Sequence, residues 1–122
     1  PKAWEEFWRV WFRTYFHDRA QADRLDLIFP PNTIQNCGAV GGYVLGSIGS
    51  FDLHEQLASI SCPTLVMHGL ADPMPASYAV RINQAIPGSK LVLAPEVGHW
   101  FFVDGTKIFT ESILEFLAKV PD

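Results

Sequence analysis

Residues 62–76 read CPTLVMHGLADPMPA and residues 89–102 read SKLVLAPEVGHWFF. Each holds a short run of apolar and β-branched residues closed by glycine or proline, the pattern of a buried strand followed by a loop. Between the two runs, PMPASYAVRINQAIPG (residues 73–88) opens on proline and stops at Pro87-Gly88, which predicts a helix. GTKIFTESILEFLAKV (residues 105–120) predicts a closing amphipathic helix with Ile108, Phe109, Ile113, Phe116 and Leu117 on one side. Strand, helix, strand, helix is the order of parallel strands covered by helices. Parallel strands this apolar are expected to be buried on both faces with neighbours on either side, so the pair is expected to lie at the edge of a larger sheet.

In open α/β sheets, functional groups collect in the loops after the carboxyl ends of the strands. Those loops here are HGLADP and PEVGHWFF, and they bring Asp72 and His99 to one sheet edge. A carboxylate there can accept a hydrogen bond from one imidazole nitrogen and fix the tautomer. The other nitrogen is then left to act as a general base. Asp72 alone reads as a turn former before Pro73, and His99 alone as a core histidine; the pairing of their loops is what favours chemistry.

CPTLVMHGLADPMPA, SKLVLAPEVGHWFF and the closing helix together resemble the C-terminal third of an α/β-hydrolase, over about residues 52–120. The resemblance implies that Asp72 is the acid and His99 the histidine of a catalytic triad whose chain order is nucleophile, acid, histidine. The fold class it implies is α/β: the last two parallel strands of an α/β-hydrolase with flanking helices, preceded by a helical cap segment. Residues 1–50 resemble the cap of the proline iminopeptidase, epoxide hydrolase and carbon–carbon hydrolase branches. The implied domains are a cap or lid over 1–50 and core over 51–122. The family's G-x-S-x-G nucleophile elbow is absent: Leu45 precedes Ser47 by two positions, and Ile48 precedes Ser50. His68-Gly69 lies in the acid loop, not in an oxyanion loop of early strands. The nucleophile is therefore expected outside this chain, on an N-terminal half supplied as a second polypeptide. Pro1 in place of methionine fits a fragment or processed product. The implied reaction is hydrolysis of an ester, amide or related bond in a small-molecule substrate, with no metal and no organic cofactor.

Trp4, Phe7, Trp8, Trp11, Phe12, Tyr15 and Phe16 recur at steps of three and four, one face of an amphipathic helix. The plain reading is core packing. The functional reading is a lid over an apolar pocket, with Trp8, Trp11 and Trp100 as candidate substrate contacts. Glu5 and Glu6 read as a solvated face, with recognition of a substrate amino terminus as the narrower alternative. A weaker helical pattern over residues 20–29 stops at Pro30-Pro31. NCGAVGGYVLGSIGSFDL (residues 36–53) has neither the P-loop lysine nor GxGxxG spacing, so its glycines are expected to serve close packing between helices. DLHEQLASI (residues 52–60) predicts a short helix begun by Asp52 and Glu55. His68 is expected to be structural, His17 and His54 to lie on helix surfaces, and Glu96 in an exposed loop.

Of the 122 residues, 48% are hydrophobic and 18% charged, which suits a packed domain, and a net charge of −4 gives no reason to expect nucleic acid. No apolar run approaches the roughly 18 residues of a membrane span, and the start PKAWEEFW is not a signal peptide, so a cytoplasmic location is expected. Cys37 and Cys62 lack metal or CxxC spacing and read as buried free thiols. Two rivals to the hydrolase stand: a non-catalytic ligand-binding member of the same fold, and an inert fragment that self-associates through its strand edge and aromatic helix.

Overall fold

The computed structural model of the chain describes residues 2–25 and 28–120. Helix α1 (Lys2–Arg13) leads into a 3₁₀ helix (Arg19–Arg24), followed by helix α2 (Thr33–Ile48) and a second 3₁₀ helix (Glu55–Ser59). Strand β1 (Leu65–Gly69), helix α3 (Ser77–Ala85), strand β2 (Lys90–Ala94), the short helix α4 (Phe101–Asp104) and helix α5 (Thr106–Leu117) complete the order. The strands pair in parallel, from Leu65 opposite Lys90 to Gly69 opposite Ala94. Both therefore end at the same edge, and the loops that follow them must lie side by side.

The core gathers at that edge. Ala94, Val97 and Phe101 are buried, and Met67, Val92, Ile108 and Phe109 pack around them. Val97 belongs to the loop after β2, so the loop itself forms part of the core. On α5, Ile108, Phe109, Ile113 and Phe116 are partly buried as their spacing requires, whereas Leu117, at the last turn, is exposed. The sheet has two strands among the described residues, and their outer edges are unpaired there.

The N-terminal half departs further from its pattern. The helical signal over residues 20–29 becomes a 3₁₀ helix that ends at Arg24, capped by the Asp18 carboxylate accepting from the Ala20 amide at 3.0 Å. Ile28 and Phe29 are not helical, and residues 26 and 27 of that expectation lie outside the described residues. His17 lies in the bend after α1, not on a helix. The segment from Asp52 also forms a 3₁₀ helix, after an Asp52 carboxylate that accepts from the His54 amide at 2.9 Å.

The glycine-rich segment forms α2, and its glycines do not mediate close packing within this chain. A Cβ built on Gly38, Gly41, Gly42 or Gly46 meets nothing within 4 Å. Val40, Tyr43, Leu45 and Ile48 of the same helix are exposed. The cysteines follow suit: Cys37, on α2, and Cys62, just before β1, are free but exposed, because neither segment is covered by another element.

Glu96, exposed as expected, adopts φ 58°, the left-handed region that costs a residue with a Cβ about 1–2 kcal/mol. Glu96→Gly is expected to raise stability by about 1 kcal/mol, read as a higher denaturant midpoint at unchanged slope.

Candidate active site

The loop after β1 is fastened to the loop after β2 through the backbone. The Leu70 amide donates to the Ala94 carbonyl and the Ala71 amide to the Val97 carbonyl, both at 2.9 Å. Gly69 makes this approach possible: a Cβ there would lie 2.1 Å from the Val97 oxygen and 2.5 Å from that of Gly98. With the loops clamped, Asp72 and His99 meet although they lie 27 positions apart, with His99 Nδ1 2.8 Å from Asp72 Oδ2.

A carboxylate can only accept, so Nδ1 carries a proton, and in the neutral ring Nε2 presents its lone pair. The other Asp72 oxygen, Oδ1, accepts from the Met74 amide at 2.8 Å. Both oxygens are thus engaged, in a side chain only 5% exposed, while the imidazole is 38% exposed. That is a fixed, shielded acceptor behind a ring open on its far side, where Nε2 makes no hydrogen bond among the described residues. His68 has the structural place expected of it: its Nε2 donates to the Met74 carbonyl at 3.1 Å and braces the acid loop.

The aromatic face of α1 runs down to this ring by two routes. Trp8 stacks on Phe12 at 5.3 Å between centroids, Phe12 meets Trp100 edge-on at 5.5 Å, and Trp100 meets His99 edge-on at 6.1 Å. Trp11 Nε1 donates to the Tyr15 hydroxyl at 3.4 Å, and Tyr15 meets His99 edge-on at 5.1 Å. Of the three tryptophans singled out from sequence, Trp100 adjoins the histidine, Trp11 stands one ring away behind Tyr15, and Trp8 stands two rings away behind Phe12 and Trp100. Glu5 pairs with Arg9 along the helix at 3.2 Å.

The His99 loop also has two supports that the sequence did not single out. The His99 amide donates to the Tyr15 carbonyl at 2.7 Å, and Asp104 Oδ2 accepts from the Gly98 amide at 2.9 Å. Neither contact has a period or spacing that a sequence would display; the one signal was an acid five residues beyond the histidine. Ser47, within α2, donates its hydroxyl to the Val44 carbonyl at 2.9 Å. The open concavities along α1, lined by Val10, Arg13, Thr14, Arg19, Ala20 and Asp23, and beside α3, lined by residues such as Leu53, Tyr78 and Arg81, include neither Asp72 nor His99. Among the described residues no cluster of acids, histidines and cysteines could hold a metal ion, and no helix is long and apolar enough to cross a membrane.

Two parallel strands whose following loops present a paired acid and histidine, with helices between and after them, define the C-terminal portion of an α/β-hydrolase fold. Comparison with known proteins agrees. RutD of Caulobacter sp. (strain K31), a carbamate hydrolase by name, is 36% identical over 69 residues, 56% of this chain and 26% of its own. A proline iminopeptidase of Saccharolobus solfataricus is 32% identical over 77 residues, 63% of this chain and 25% of its own. A bromoperoxidase structure from Bacillus anthracis superposes on 93% of this chain and 44% of its own with a TM-score of 0.63 at 26% identity. No family model matches. The chain spans about a quarter of the length of these two curated relatives. All of these matches point to the α/β-hydrolase superfamily, with the likeness lying in the C-terminal part of the fold.

Proposed function

We propose that His99, oriented by Asp72, is the general base of a hydrolase acting on an ester, amide or related bond of a small-molecule substrate. In this reading the nucleophile stands outside these 122 residues, on an N-terminal half that joins the chain as a second polypeptide. Nε2 takes the proton of the nucleophile as it attacks the substrate and gives it to the leaving group, then takes a proton from the attacking water and gives it to the nucleophile as the product departs. Asp72 stabilises the imidazolium formed in each step. The observation that carries this reading is the 2.8 Å contact from Nδ1 to a shielded carboxylate, with Nε2 unengaged. The names of the relatives supply the bond class, and residues 1–50 would form the cap, with Trp100, Trp8 and Trp11 facing the substrate. The mechanism calls on no metal or organic cofactor.

The test is mass spectrometry and a denaturing gel on the folded sample, with p-nitrophenyl acetate hydrolysis measured in the same tube. A second polypeptide, with turnover that His99→Ala removes, is the expected result. Turnover that survives His99→Ala overturns the assignment, and a lone inert chain refutes catalysis by this molecule. The exposed apolar residues of α2 favour a second reading, a self-associating chain. Concentration-dependent sedimentation without turnover would select it.

A further inference from the structure

We propose that Asp104 is a positioning residue for His99, holding the histidine loop and the end of the α1 segment in one register. The proposal rests on the reading of His99 as the base. A single carboxylate oxygen, Oδ2, accepts from the Gly98 amide at 2.9 Å and from the His17 amide at 2.7 Å. Those donors lie 81 positions apart in sequence, one beside the candidate base and the other just past the aromatic helix. Asp104 reaches them because α4 turns the chain back immediately after His99. Its own amide donates to the Trp100 carbonyl at 2.9 Å, so the acid is anchored in the turn it serves.

The two faces of the histidine loop are held in different ways. On the sheet side the loop is fixed by strand-end hydrogen bonds and by Val97 in the core. On the α1 side it is fixed by the Asp104 carboxylate and by the Tyr15 carbonyl that accepts from the His99 amide. Those two contacts reinforce each other. Bonding His17 to Asp104 fixes the backbone next to Tyr15, and Tyr15 sets the amide of His99. Gly98 admits no slack, because a Cβ there would sit 2.1 Å from the Tyr15 oxygen. An ionised acceptor suits the task, since hydrogen bonds to a carboxylate are shorter and about twice as strong as neutral ones. Without it, the Gly98 amide loses its acceptor and the backbone beside Tyr15 loses its tie to the loop, so the ring no longer meets Asp72 squarely.

The test is nitrogen and amide-proton NMR of the 122-residue chain with His99 neutral, which requires no nucleophile and so stands apart from any failure of the hydrolase reading. In the parent protein the ring should carry its proton on Nδ1. In Asp104→Ala the amides of Gly98 and His17 should exchange at least about ten-fold faster, and the ring should redistribute toward the Nε2-protonated tautomer. Amides of β2, such as Val92, should keep their protection. Asp104→Asn retains an oxygen without the charge, so it should keep the Nδ1 tautomer while both amide protons shift upfield together. A purely structural role for Asp104 would leave the tautomer unmoved in Asp104→Ala, and that result overturns the proposal. If Asp104→Ala does not fold, an unshifted Gly98 amide in Asp104→Asn overturns it instead.

Discussion

Asp72→Asn is expected to reverse the tautomer of His99 and to lower turnover of the chain assembled with its nucleophile by about 10⁴-fold. The carboxamide can direct its NH₂ group at Nδ1, which must then accept, moving the ring proton to Nε2. The nitrogen that faces the reacting group would then have no lone pair with which to take a proton. Substrate affinity should change far less, because Asp72 is shielded behind the ring and lies out of reach of a bound molecule. The loss should therefore fall on kcat with KM nearly constant. His99→Ala should cost a similar factor, and the double variant little more than either alone, since the pair acts as a unit. Additive losses would mean that the two side chains act separately, and the tautomer argument would fail. The ring proton is observable in the chain alone, so the structural half of the expectation can be read without any activity.

The parts of this site legible in sequence were those that strand and helix periodicity dictate. β1 and β2 each formed where an apolar run ended in glycine or proline, and their parallel register followed from the helix between them. The meeting of Asp72 with His99 followed in turn, because parallel strands end at the same edge. What stayed hidden depends on contacts that leave no periodic trace. Asp104 serves two backbone amides, and any acid in the right turn could do so. Tyr15 was one of seven aromatics on a stripe, and it is its carbonyl, common to every residue, that holds His99. α2 was obscured for a different reason. Each glycine costs a helix roughly 1 kcal/mol relative to alanine, so local propensity argued against the helix that forms there. The cysteines were misjudged because residue type predicts burial only where another element supplies the cover.

Gly98→Ala is expected to destabilise the chain by about 3 kcal/mol, whereas the same substitution at Gly42 is expected to stabilise it by about 0.5–1 kcal/mol. The opposite signs follow from what each Cβ would meet. At Gly98 the φ angle is not in the left-handed region, so the requirement is one of space. An added methyl would lie 2.1 Å from the Tyr15 oxygen and 2.8 Å from the Phe16 Cα. Both are backbone atoms that no rotamer change can move, so the α1 segment must retreat, carrying the Tyr15 carbonyl away from the His99 amide. The urea midpoint should fall at unchanged slope, and the His99 ring should lose its Nδ1-protonated signature together with the stability. At Gly42 the space is empty to 4 Å, and the methyl removes only the backbone freedom that glycine adds to the unfolded chain. A destabilising Gly42→Ala in the isolated chain would mean that α2 is covered in solution, by a second copy or another part of the fold. In an assembly with the proposed N-terminal half, the same substitution would become a probe of what packs on α2. If the partner half lies against its glycine face, the gain seen in the chain alone should turn into a loss, because the backbone can then no longer approach as closely.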